Sequence, residues 1–307
     1  MSTTASVKQE TPLVTLGVAS YNNARFIAET LDSIAAQNYP HLEVFIHDDA
    51  STDHSVAVIQ AWMKNHPALR VQLMTYSTNA GICVGLNRML QASNGDLISF
   101  IASDDRYLPD FVQNRVKAFS KFGPETGIVY SRSWLMDEHG QRTGQELRPM
   151  WPSGWIFKDL CTLQNSFCKP FTSMVRRSVY ETVGGYDENL LFEDMDFFFR
   201  VSREFRIEYI ESPDTEYRVL PESLGSKIYT TERGLEAMSQ LLCKQLGISP
   251  ETDKLLARRF RKIALLKKDL GVSNWKEDMQ RSINESGSLT DRLYLNWHPV
   301  MDHFRKK

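Results

Sequence analysis

Two pairs of adjacent aspartates stand out for their chemistry. Asp48-Asp49 follows the run Val44-Phe45-Ile46-His47, and Asp104-Asp105 follows Leu97-Ile98-Ser99-Phe100-Ile101-Ala102. Neighbouring carboxylates repel one another, so two such pairs at the ends of buried strands call for a cation. A single Asp in that position is explained by helix capping, which suits its hydrogen bonding and the helix dipole. Two equivalent pairs favour a functional site over capping. Hard oxygen ligands suit Mg2+ or Mn2+, which bind one or two carboxylates together with a substrate's phosphates. No His/Cys spacing argues for zinc. The chemistry is then neutralisation of a leaving diphosphate, and the ligand a phosphate-bearing nucleotide. A third cluster, Glu193-Asp194-Met195-Asp196, stands at an expected helix start. Capping explains it cheaply, yet a carboxylate there can also serve as general base toward a hydroxyl nucleophile.

The elements that must position these groups are legible as apolar periodicity. Strands are expected over residues 13–19, 42–47, 70–76 and 97–102. Helices with one apolar face are expected from about Phe26, over 54–65 and 82–92, and from Pro109. This strand–helix alternation over the first ~120 residues predicts an α/β fold, a mostly parallel sheet wrapped on both faces. In open parallel sheets ligands sit beyond the carboxyl ends of the strands, near the switch in strand order. Tyr21, Asp49, Asn79 and Asp104-Asp105 all follow strand ends and would converge on one edge. Further on, 127–135 reads as a single strand, Asp137 to Gly140 as a turn with His139 exposed, and 171–175 as another strand. A helix starts at Arg176, and strand-like segments fall within 207–219. From Thr231 the pattern is helical, with breaks at 247–250 and 284–287.

Bulk properties remove several classes. The net charge of −2 gives no reason to expect nucleic acid as a partner. Four cysteines without zinc-type or C-x-x-C spacing, in 307 residues, point to a reducing compartment rather than a disulfide framework. The first residues are polar and lack the apolar core of a signal peptide. No apolar run approaches the ~20 residues of a membrane span. A dehydrogenase would carry G-x-G-x-x-G after the first strand, where this chain has A-S-Y-N-N-A. A sugar nucleotidyltransferase would carry a Gly-rich phosphate loop there. A phosphorelay receiver is far shorter, with its acidic pair after the first strand.

The motifs together resemble glycosyltransferase family 2, the inverting nucleotide-sugar transferases of the GT-A fold. V-T-L-G-V-A-S-Y-N-N with F-I-A-E-T-L-D-S-I-A-A-Q-N-Y-P resembles the family's opening strand and helix. H-D-D-A-S-T-D, N-A-G-I-C-V-G-L-N-R and N-G-D-L-I-S-F-I-A-S-D-D resemble its next segments. V-R-R-S-V-Y-E-T-V-G-G-Y-D-E-N-L and F-E-D-M-D-F-F-F-R-V resemble its acceptor-side half. The match spans about residues 12–225, and many weak motifs in the right order make it specific. The resemblance implies roles residue by residue. Asp49 would accept a hydrogen bond from the base, with uracil favoured and guanine or thymine open, and Tyr21 near the same ring. Asp104 would contact the ribose, and Asp105 would hold the Mn2+ or Mg2+ that bridges the diphosphate. Ala19, Asn79, Gly81 and Asn87 would line the nucleotide side. Asp194 would be the general base. Apart from the resemblance, Trp151 and Trp155 invite sugar stacking, though core or loop packing is the more frequent use of such aromatics, and Trp155 and Glu193 are the acceptor-side candidates. Two departures bear on the metal. Ala102 stands where many members have the first Asp of D-x-D-D, and the segment Tyr217 to Ser223 lacks the histidine many members carry.

The expected organisation is a disordered lead over 1–11, a GT-A catalytic domain over 12–230, and a helical extension over 231–307. The catalytic domain divides into a nucleotide-sugar-binding half, 12–125, and an acceptor-side half, 126–230. The expected function is transfer of a sugar from a UDP-linked donor to a saccharide or lipid-linked saccharide, in bacterial surface polysaccharide synthesis. The rival reading is an inactive GT-A-fold nucleotide-binding or scaffold protein. The stretch 254–268, KLLARRFRKIALLKK, carries seven basic residues and an apolar stripe. It reads as a solvated helix packed on the catalytic domain, or as peripheral attachment to an anionic membrane. The expected location is the cytoplasm, with the inner face of the plasma membrane as the site of any such attachment.

Overall fold

The computed structural model describes residues 11–147, 151–162, 169–191, 193–220 and 230–296. The expected lead over 1–11 lies outside them save for Thr11, as do Cys168, Phe192 and Pro221 to Ser223. Two compact units interleave along the chain. One is drawn from Met1–Pro149, Cys168–Gly185 and Ile207–Arg218, the other from Met150–Phe167, Tyr186–Arg206 and Val219–Lys307.

The first unit is built on a seven-stranded sheet. Its strands are β1 (Val14–Ser20), β2 (Leu42–Asp48), β3 (Val71–Thr75), β4 (Leu97–Ala102), β6 (Thr126–Tyr130), β9 (Ser173–Arg176) and β10 (Arg206–Tyr209). Their order is β10-β6-β9-β4-β1-β2-β3. The β1–β2, β1–β4 and β2–β3 pairs are parallel, whereas β9 runs antiparallel to both β4 and β6. Strand order therefore switches at β1, the place where open α/β sheets take ligands. β1 is buried on both faces, with Val14, Leu16 and Val18 fully covered. Each such side chain contributes roughly 1.5–3 kcal/mol relative to exposure. Gly17 of β1 pairs with Phe100 of β4, and a Cβ on Gly17 would fall 2.4 Å from the Phe100 ring. The phenyl group occupies the space the glycine leaves.

Helices α1 (Ile27–Ala35), α2 (Ser55–Asn65), α3 (Ile82–Ala92), α4 (Phe111–Phe122) and α6 (Arg177–Val183) complete this unit. Ile27, Thr30, Leu31 and Ile34 form the buried face of α1, at helical spacing. A small second sheet, in the order β5-β11-β7-β8, joins β5 (Arg106–Tyr107), β7 (Trp134–Met136), β8 (Arg142–Gln145) and β11 (Thr215–Arg218). Two expectations need correction. The stretch 127–135 is not one strand: β6 ends at Tyr130 and β7 begins at Trp134, in different sheets. Ser131, Arg132 and Ser133 make the crossing, with Ser131 and Ser133 buried and their hydroxyls hydrogen-bonded. The stretch 171–175 begins instead as a single 3-10 turn, Pro170–Thr172, because the proline presets the first helical position, and extends only from Ser173.

The second unit holds α5 (Phe157–Thr162), α7 (Glu193–Glu204), α8 (Glu232–Cys243), α9 (Pro250–Asp269) and α10 (Trp275–Ser286). The Thr231 and Ser249 side chains cap α8 and α9, accepting from Gly234 and Thr252 amides. α9 contains the basic stretch. Its stripe of Leu256, Phe260 and Ile263 is buried, and the helix packs on α5, α8 and α10. Two of its seven cations are interior: Arg259 donates to the Leu160 carbonyl at 2.9 Å, and Lys267 lies 2.7 Å from the buried Asp278. Leu255 and Leu266, the other two residues of the stripe, are half-buried. Among the described residues no helix is long and apolar enough to cross a membrane.

Candidate functional site

Both aspartate pairs hang from the end of β1. The Asp49 amide donates to the Ser20 carbonyl at 2.9 Å, and the Ser103 amide to the Ala19 carbonyl at 3.0 Å. Register does this: Ser20 pairs with Asp48 on one side, and Ala19 with Ala102 on the other. The loops after β1, β2 and β4 are then sewn together. Asn22 takes a left-handed conformation (φ 51°), its amide donates to the Ser51 hydroxyl, and its side-chain oxygen accepts from the Thr52 amide. The Asn23 side chain donates to the Ser103 hydroxyl at 2.8 Å. Tyr21 stands at the rim, 49% exposed.

The two members of the first pair have separate tasks. Asp48 is buried and accepts from the Ser51 amide (2.9 Å), the Ser51 hydroxyl (2.7 Å) and the Ser20 hydroxyl (3.1 Å). It holds the turn that carries Ala50 at φ 63°, a conformation costly for a residue with a Cβ. Asp49 faces the loop before α3. Its Oδ1 accepts the Ala80 amide at 2.9 Å and its Oδ2 the Gly81 amide at 2.8 Å. Asp49 and the Asn79–Gly81 loop thus form one piece. Gly81, at φ 89°, opens α3 in a conformation that suits only glycine well. Below Asp49 on β2, His47 is buried and stacked on Tyr76 with ring centroids 4.8 Å apart, and burial holds its pKa down. Asn87 lies deeper along α3. Its side-chain oxygen sits 2.5 Å from where a Cβ on Gly185 would be, so it packs on that backbone.

The second pair is desolvated. Asp104 is half-buried and Asp105 is only 2% exposed. Burial, and for Asp105 the neighbouring Asp104 charge, pushes both carboxyls above the ordinary range. The opposing contact comes from β11: the Arg218 amide donates to Asp105 Oδ1 at 2.9 Å. The Arg218 side chain is buried and threads the same turn. Its Nε donates to the Asp104 carbonyl at 2.8 Å, Nη1 to the Asp137 and Glu138 carbonyls, and Nη2 to Glu29 at 2.8 Å. Sequence reasoning missed Arg218. No local pattern marks an arginine on a short strand as interior.

A divalent ion fits these residues as a ligand shared with phosphate. Among the described residues no three His, Cys, Asp or Glu side chains converge as a protein cage. A single desolvated carboxylate pair is instead what an ion completed by a diphosphate needs.

In the second unit, Asp194 sits in the first turn of α7 and its Oδ1 accepts the Met195 amide at 2.7 Å. Burial first, and then the Asp194 charge, pushes the Glu193 carboxyl up to about 8. Asp196 is committed elsewhere: fully buried, it lies 2.8 Å from Arg200 and 2.6 Å from Lys244. Trp155 is 55% exposed, beside Gly154 at φ 98°. Of the residues singled out in sequence, the structure joins Ala19, Asp49, Asn79, Gly81, Asp104 and Asp105 around the end of β1, with Tyr21 at their rim.

Residues 15–184 match the family described as glycosyl transferase family 2. A Bacillus subtilis (strain 168) protein that bears the name glycosyltransferase EpsE is 30% identical over 196 residues, 63% of this chain and 68% of EpsE. Two solved structures share the fold. Mannosyltransferase PcManGT of Pyrobaculum calidifontis, in complex with GDP-Man and Mn2+, superposes with a TM-score of 0.63 at 20% identity, covering 95% of this chain and 81% of its own. Staphylococcus aureus TarS 1-349, in complex with UDP-GlcNAc, gives 0.69 at 18% identity, covering 94% and 88%. The switch point at β1, the acidic pairs beside it and the match over residues 15–184 agree: this chain belongs to glycosyl transferase family 2 and has the GT-A fold.

Proposed function

We propose that this glycosyltransferase takes its sugar from a nucleoside-diphosphate donor, UDP-linked, and inverts the anomeric carbon in a single displacement. The observation that carries the reading is the joint suspension of Asp49 and Asp104-Asp105 from the end of β1, at the switch in strand order. Asp49 takes an N–H from the base. Each of its oxygens already accepts one backbone amide and has a second lone pair to offer. Tyr21 lies beside the base, and Ala19, Asn79, Gly81 and Asn87 line the nucleotide side. Asp104 meets the ribose, and Asp105 would hold Mn2+ or Mg2+. When bound, that ion supplies positive charge for the departing diphosphate.

Asp194 removes the proton from the acceptor hydroxyl. The acceptor oxygen bonds to the anomeric carbon as the bond from that carbon to the phosphate oxygen breaks. The electron pair leaves on the nucleoside diphosphate, and the proton stays on Asp194. The Met195 amide stabilises the ionised form of Asp194 before the reaction. Glu193 and Trp155 serve the acceptor side. A saccharide or lipid-linked saccharide acceptor, in assembly of a bacterial surface polysaccharide, rests on the family resemblance alone.

Thermal shift tests the donor site, with UDP, GDP, TDP and CDP, each with and without Mn2+, on wild type, Asp105→Ala and Asp105→Asn. A ligand that binds only the folded chain raises the Tm by mass action. The expected result is a Mn2+-dependent shift for one nucleotide, lost in both variants. A folded wild type that responds to none of the four would defeat the reading.

A further inference from the structure

We propose that Lys169 is a further catalytic residue, the cation that meets the departing diphosphate beside Asp105. This rests on the donor-site reading above. Four observations support it. First, Lys169 is held at its base: its carbonyl accepts from the Thr172 amide (3.1 Å), the Thr172 hydroxyl (3.1 Å) and the Ser173 hydroxyl (2.7 Å). The four-carbon stem extends from this fixed backbone. Second, the ammonium rests on an aromatic floor. It lies 4.5 Å from the Tyr217 ring centroid and 5.6 Å from that of Phe171, and these two rings stack on one another at 5.2 Å. Tyr217 immediately precedes Arg218, whose amide grips Asp105.

Third, its carboxylate partner is loose. Glu146 stands 3.4 Å away, longer than the roughly 2.7–2.9 Å of a charge-assisted bond. An ammonium has three donors and can exchange this contact for phosphate oxygens. Fourth, the side chain keeps 23% of its surface exposed, so it is accessible to a ligand. Chemically, a diphosphate leaving with its electron pair gains charge that one ion on one carboxylate pair offsets in part. A lysine acts there as a point charge, donating hydrogen bonds to the phosphate oxygens with no proton transferred.

The test separates phosphate from base. Dissociation constants of UDP, UMP and uridine are measured by titration calorimetry with Mn2+ on wild type, Lys169→Met, Lys169→Arg and Glu146→Gln, all checked for fold by circular dichroism. GDP, GMP and guanosine replace them if thermal shift selects guanine. For Lys169→Met we expect diphosphate binding to weaken about tenfold or more, with the nucleoside changed less than twofold. Lys169→Arg should restore most of the loss, and Glu146→Gln should tighten the diphosphate by releasing the ammonium. Wild-type binding of UDP with no change in Lys169→Met, or an equal loss across all three ligands, overturns the role of Lys169 and leaves the donor site standing. Absence of diphosphate binding by the wild type overturns both.

Discussion

Substituting Asp49 by Ala removes the acceptor of two backbone amides, those of Ala80 and Gly81. Each is a hydrogen bond to a charged group, worth about 1.5–3 kcal/mol net. The pair would total about 3–6 kcal/mol if both amides were left buried and unpaired. They are not: Ala80 is exposed and Gly81 half-buried, so water reaches them once the carboxylate is gone. That lowers the expected loss to about 2 kcal/mol, or roughly thirty-fold in the local opening equilibrium. Hydrogen exchange followed by mass spectrometry reads this directly. In wild type the Ala80 and Gly81 amides should be protected although the loop stands near solvent. In Asp49→Ala their exchange should rise by about that factor, while β1, buried on both faces, changes little. Nucleotide binding should be lost in the same variant. Two results refute the reasoning: free exchange of these amides in wild type, or protection that survives the substitution. Either would mean that Asp49 does not hold this loop.

Three further outcomes follow from the geometry. Arg115→Met empties a fully buried guanidinium site that serves Asp214 (2.5 Å), Ser131 (2.8 Å) and the Thr172 carbonyl (2.9 Å); urea denaturation should show a loss of about 3–5 kcal/mol, recovered in part by adding Asp214→Asn. Gly85→Ala puts a Cβ 2.8 Å from His47 Nδ1; overpacking of about 1–3 kcal/mol should outweigh the roughly 1 kcal/mol gained in helix propensity, and a higher Tm than wild type would contradict it. Glu193, raised from 4.5 to about 8, binds its proton more tightly folded than unfolded, so its contribution to stability declines as pH rises through that window and is level above it. Glu193→Gln should remove that part of the slope in urea midpoints taken across the window, and an unchanged slope would show that the carboxyl is not held protonated.

The local elements were legible because each carries its own period. α3 runs Ile82–Ala92 and β4 Leu97–Ala102, as the apolar pattern indicates, and β1 is displaced by a single residue. Of the small sheet only β11 was legible, within 207–219; β5 has two residues and β7 three, too short for alternation to register. The run through 127–135 reads as continuous because the crossing Ser131-Arg132-Ser133 has no Gly, Pro or turn cluster to punctuate it. At the candidate site the residue types were readable but their partners were not. Asp49 meets amides 31 and 32 positions away, and Asp105 meets the Arg218 amide 113 positions away. A backbone amide has no signature in a sequence, because every residue but proline carries one. The register of β1 against two neighbours brings these groups together, and register is a property of the sheet.

The two acidic pairs follow β2 and β4, with β1 alone between them. Their separation is therefore two strand spacings, about 10 Å, a length set by backbone hydrogen bonding. The sheet acts as a ruler laid between the group that would read the base and the group that would face the diphosphate. A substitution at either mark can alter what is recognised there, but it cannot move the marks. Because β1 pairs with both β2 and β4, a one-residue slip of β1 would displace both stations at once.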